Sequence, residues 1–146
     1  LKTVTAAALL LGAGVVSASA DATSSIQARQ ACMKANGAMM KVMVPVIKGQ
    51  KAFDKAANDA AIAAVEAACG GWAGWWGEDT KPGGALKTEA KLEIWTDPKG
   101  FEAAGGAYMA ALSAVKASAD EASFKVAFPD LGKSCQSCHE KFRQAD

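Results

Sequence analysis

The chain is short of histidine, tyrosine and proline, with one, one and four of them in 146 residues. The single histidine, His139, means that any metal held through imidazole is held here. So few prolines, in an alanine-rich chain, leave helix formers in control. Charge of one sign is also missing: 16 basic residues face 15 acidic ones, and no block of like charge stands out. That gives no footing for nucleic acid or an anionic membrane surface. Strand-like alternation of useful length is absent, as is any internal repeat. The length suits one domain with a real core.

Only one long apolar run exists. Lys2 is followed by Val4 to Val16 and then by Ser17-Ala18-Ser19-Ala20. A short positive region, a hydrophobic region and a small-residue cleavage site make residues 1–20 a predicted secretory signal peptide, cut after Ala20. The run is shorter than the ~20 apolar residues of a membrane span. The expected mature domain is therefore 21–146, with no membrane association after cleavage, in an exported, periplasmic setting that permits disulfides.

What is abundant is helical periodicity. From Ala22 to about Ile47, Ile26, Met33, Met40 and Ile47 recur every seven residues, with Gln30, Gly37 and Val44 between them. Pro45 should kink or end this helix and Gly49 close it. A second helix is predicted from Asp54 to Cys69, with Ala61, Ile62, Val65 and Cys69 on its apolar face. Gly70 to Leu86 is a long connection containing Trp72, Trp75 and Trp76, at least one of which should cover something apolar. Thr88 to Trp95 is a candidate short helix. Asp97-Pro98 starts the next one, with Phe101, Ala104, Tyr108, Leu112 and Val115 on one face. The last helix begins near Glu121 and carries Phe124, Phe128, Leu131, Cys135, Cys138 and Phe142 as one stripe, with Pro129 expected to kink or split it. The prediction is an all-α, antiparallel up-down-up-down four-helix bundle.

Both cysteines of Cys135-x-x-Cys138-His139 lie on that last stripe. On a helix, positions i, i+3 and i+4 share a face. The pattern suits covalent attachment of one c-type haem per chain, through two thioethers and an imidazole ligand to iron. A redox dithiol would need a preceding strand, which the pattern lacks. A zinc site built from Cys32, Cys135, Cys138 and His139 has no usual finger spacing. In a hairpin centred near residue 49, Cys32 and Cys69 come within about a turn of each other, so a disulfide or two buried thiols are both open.

Lys87-Thr88-Glu89-Ala90-Lys91, Ile94-Trp95 and Leu131-Gly132-Lys133-Ser134-Cys135-Gln136-Ser137-Cys138-His139-Glu140-Lys141-Phe142-Arg143 together resemble the class II c-type cytochromes, the cytochrome c′ family. Arg29-Gln30-Ala31-Cys32-Met33-Lys34 and Pro45 to Gln50 fit as well, so the resemblance covers essentially the whole mature chain. It implies thioether roles for Cys135 and Cys138 and the proximal iron ligand for His139. It places Arg143 beside that ligand and Arg29 on a haem propionate. Met33 matches the first-helix residue facing the distal side of the iron, which in one low-spin branch is the sixth ligand and elsewhere only shields the metal. Met39, Met40, Met43 and Met109 are weaker ligand candidates. The expected function is single-electron transfer with redox partner proteins. The alternative is a five-coordinate iron that binds small gases (NO, CO) and buffers NO. No enzyme is expected, because nothing supplies an acid–base group on the distal side once His139 is a ligand. The resemblance also implies a homodimer through the first two helices; Gly37 and the alanines leave room for it, and core packing explains them equally well.

Overall fold

The structure is a computed structural model that describes residues 15–84 and 86–144, with side chains described from residue 22 onward. The expected leader, 1–20, lies largely outside that range. Among the described residues there are five α-helices: α1 Val15–Ile47, α2 Lys55–Cys69, α3 Glu93–Thr96, α4 Pro98–Ala117 and α5 Glu121–Phe142. Single 3-10 turns occur at Trp72–Gly74 and Glu78–Thr80. The four long helices form the bundle. No described helix is long and apolar enough to cross a membrane.

Helix ends follow local chemistry. Pro45 in the last turn of α1 is followed by a Schellman closure: the Gln50 amide donates to the Pro45 carbonyl at 2.8 Å and the Gly49 amide to Val46 at 3.0 Å. Gly49 adopts φ +66, which glycine reaches without a Cβ penalty. Asp54 caps α2 through the Ala57 amide at 3.0 Å, and Asp97 caps α4 through Gly100 at 3.0 Å with Pro98 in the first turn. Asp120 and Ser123 make a reciprocal capping box on α5.

The core is Met39, Met43, Val46, Ile62, Val65, Leu112, Val115, Phe124 and Leu131, all nearly or fully buried. Each such side chain contributes roughly 1.5–3 kcal/mol by leaving water. The faces predicted for α2, α4 and α5 are the ones that turn inward. The predicted stripe on α1 is corrected. Ile26 is buried and Met40 and Ile47 pack against the core part-buried, but the fully buried seam runs through Cys32, Met39, Met43 and Val46, while Met33 and Gly37 are exposed. Two apolar heptads run side by side on α1, and a covalent bond selects between them: the sulfurs of Cys32 and Cys69 are joined, with their Cα atoms 4.9 Å apart. This disulfide turns the Cys32 row toward α2 and takes Cys32 out of any zinc site.

Two further expectations change. Of the kink or split expected at Pro129, the split does not occur: α5 runs through Pro129 as one helix. Pro129 and Lys125, whose carbonyl loses its amide partner, are both exposed, so water can serve that carbonyl. Within 88–95, only Glu93 onward is helical; Ala90 instead makes an isolated antiparallel bridge with Arg143.

The candidate haem site on α5

Cys135, Cys138 and His139 sit on one face of α5, each half-buried. Burial pushes the thiols of Cys135 and Cys138 up, so both are protonated at neutral pH. His139 is pushed down, first by burial and then by the Arg143 cation, with Glu89 acting the other way. Its imidazole is therefore neutral at pH 7, the form that ligates a metal. No other His, Cys, Asp or Glu joins them in a cluster fit for a bare ion, among the described residues.

Arg143 is the cap just past the end of α5. Its amide donates to the His139 carbonyl at 3.0 Å, and its Nε donates to Glu89 Oε2 at 2.7 Å. The predicted i+4 neighbourhood thus holds along the backbone, and a carboxylate that the sequence did not point to receives the side chain. The only signal for Glu89 was its place in the segment that carries the family resemblance.

Arg29 stands on α1 at 5% exposure. Its guanidinium carbon lies 4.4 Å above the Trp76 ring, and Nη2 donates to the Thr80 carbonyl at 3.1 Å. Nε and Nη1 are buried without a hydrogen-bond partner. Burial lowers the pKa of the group without discharging it. A buried cation with two unused donors fits an anionic group such as a propionate. Trp76 links Arg29 to the α5 end of the bundle, since its ring lies 4.7 Å from Phe101, which lies 5.2 Å from Phe142. Trp72 stacks on Phe101 as well, at 5.9 Å, so the tryptophans of the long connection do cover apolar surface. Gly71 lets them close up: a Cβ there would meet the Trp75 ring at 2.7 Å.

Met33 is 39% exposed and lies outside the core, one residue from the disulfide. Met39 and Met43 are core, and Met109 is at the surface. Three residues beyond Met33, Asn36 accepts a hydrogen bond from the Tyr108 hydroxyl at 2.5 Å and donates to the Cys32 carbonyl at 3.0 Å. Burial and the Cys135 sulfur push the Tyr108 phenol up to about 12, and the Asn36 bond acts against them. This polar link from α1 to α4 was not foreseen, because Tyr108 reads as one more member of an apolar face.

The residues fit a covalently held haem: two sulfurs and a neutral imidazole on one helix face, and a buried cation with free donors across the bundle. Comparison with known proteins agrees. The family model described as Cytochrome C′ matches residues 24–143. The chain is 32% identical over 136 residues to a cytochrome c′ of Rhodopseudomonas palustris, covering 92% of this chain and 90% of that one. It is 30% identical over 152 aligned residues to a cytochrome c-556 of the same organism, covering 100% and 99%. Among solved structures, a nitric oxide complex of a variant of cytochrome c prime from Alcaligenes xylosoxidans superposes with a TM-score of 0.73 at 26% identity, covering 85% of this chain and 97% of that one.

Proposed function

The chain belongs to the cytochrome c′ family, and from that premise we propose that it carries single electrons on a covalent haem c held by Cys135, Cys138 and His139. A haem supplies an iron that cycles between two oxidation states and can bind an axial ligand. The rest falls to the protein. Cys135 and Cys138 anchor the group through sulfur. His139 offers a neutral nitrogen to the metal. Arg29 gives its two unused donors to a propionate, Arg143 places a cation beside His139, and the Trp72–Trp76–Phe101 cluster keeps water away from that end. The observation that carries this reading is the shared face of Cys135, Cys138 and His139, all half-buried on α5.

Met33 is the proposed distal residue. Its exposure leaves the thioether free of core packing and available as a sixth ligand, which favours electron transfer. The second reading, binding of NO or CO at an open iron, draws support from the nitric oxide complex of the Alcaligenes protein. The optical spectrum of the reduced protein with and without CO separates the two. Electron transfer with Met33 bound predicts no CO shift; a full CO shift with a broad high-spin Soret band supports gas binding instead. The leader implies export and cleavage after Ala20, which N-terminal sequencing of the periplasmic protein checks.

A further inference from the structure

The last turn of α5, which carries His139, is strapped by a segment from the other end of the long connection. The Gln144 amide donates to the Glu89 carbonyl at 2.7 Å, and the Lys91 amide donates to the Phe142 carbonyl at 2.9 Å. These two bonds make the antiparallel bridge between Ala90 and Arg143. Lys91 Nζ adds a third tie, to the Glu140 carbonyl at 2.9 Å. Glu89 is therefore pinned through its own backbone, and its carboxylate accepts from Arg143 Nε at 2.7 Å. The two side chains are 42% and 48% exposed, and pairs of that kind add little to stability. Yet the pair stands on the turn that carries His139: the Arg143 amide donates to the His139 carbonyl at 3.0 Å, and the strap holds Glu89 against the same turn.

We propose that Glu89 is a positioning residue whose strap-fixed carboxylate offsets the Arg143 charge beside His139 and so lowers the midpoint potential of the haem iron. This rests on the reading of His139 as the iron ligand. The physical ground is simple. The oxidised iron carries one more positive charge than the reduced iron, so a fixed anion near its ligand favours the oxidised state and a fixed cation disfavours it. Half-exposed charges are screened, which limits each effect to roughly two- to tenfold in the equilibrium between the two states. Tenfold is about 59 mV for one electron.

The test is the midpoint potential of the haem-loaded protein at low ionic strength in five forms: wild type, Glu89→Gln, Glu89→Asp, Arg143→Gln and the double variant. Glu89→Gln raises the potential, Arg143→Gln lowers it, the double variant returns close to wild type, and Glu89→Asp stays near wild type. High salt shrinks every shift, because the Debye length falls to about 3 Å at 1 M. Shifts of the same sign in the two single variants would overturn the proposal, as would no shift in Glu89→Gln. Hydrogen exchange at the Lys91 and Gln144 amides guards against a merely structural effect. If they exchange fast in Glu89→Gln, the carboxylate was holding the backbone and the proposal fails. The underlying reading is checked apart from this: a His139→Gly protein that keeps the wild-type spectrum removes His139 as ligand, whatever Glu89 does.

Discussion

Arg29 brings charge into the interior with only part of its hydrogen bonding met: one donor on Thr80, a ring beneath it, and two donors unused. A buried ion without a counter-ion costs several kcal/mol, and once a carboxylate is paired with it, removing either partner leaves the other uncompensated. The substitution Arg29→Met therefore acts with opposite sign in two backgrounds. In a haem-free Cys135→Ala/Cys138→Ala chain it leaves stability unchanged or raises it by about 1 kcal/mol. In the haem-loaded chain it lowers stability by about 1.5–3 kcal/mol, the worth of hydrogen bonds to a charged group. Denaturant unfolding of the four proteins checks this. At this scale the cysteines and the histidine were legible because their spacing alone puts them on one helix face. Arg29 was legible only through resemblance, since one arginine on a helix reads as a surface charge until Trp76 and Thr80 fold over it. Glu89 had only its place in the resembling segment and the Asn36–Tyr108 bond left no pattern; both bonds join residues more than fifty positions apart.

Pairing of α1 with α2 rests on the Cys32–Cys69 bond, which closes a sequence separation of 37 residues. By loop-closure entropy, Cys32→Ser/Cys69→Ser costs about 3–4 kcal/mol. The check is the loss of thermal stability, together with a native mass that is two hydrogens below that of the reduced protein. Which apolar row of α1 faces inward could not be read from periodicity, because both rows repeat every seven residues and the choice is made by this contact with α2. The starts of α4 and α5 were easier, since Asp97 and Asp120 cap them by local chemistry. Asp97 also joins the two helices through Lys141 at 2.5 Å. That hydrogen bond, and next the Gly100 amide, hold the Asp97 carboxyl below its ordinary value of about 3.9. A folded value below the unfolded one gives a contribution that is complete above about pH 4 and is lost as pH falls through the folded value. Acid unfolding of Asp97→Asn, which keeps a capping acceptor, is expected to be less steep below pH 4 than that of wild type.

The whole molecule is a helical bundle whose last helix carries the proposed haem site. In the proposed site α1 supplies Arg29 and Met33, while in the structure Trp76 of the long connection lies under the Arg29 guanidinium and the segment at residues 89–91 ties down the C-terminal turn. Fold class was legible because four amphipathic segments with clear stops have few ways to bury their faces. The closing of the long connection over Arg29 was not, because glycine- and tryptophan-rich loops follow contacts and not a period. The central claim is that α5 holds a haem covalently through Cys135 and Cys138. The most direct test is the intact mass of the haem-loaded protein under denaturing conditions, followed by digestion and acidified-solvent extraction. The account predicts one haem retained on the peptide containing Cys135 to His139, resistant to extraction, and lost from Cys135→Ala/Cys138→Ala. A polypeptide mass with no haem, or haem that passes into the solvent from the wild-type protein, would contradict it.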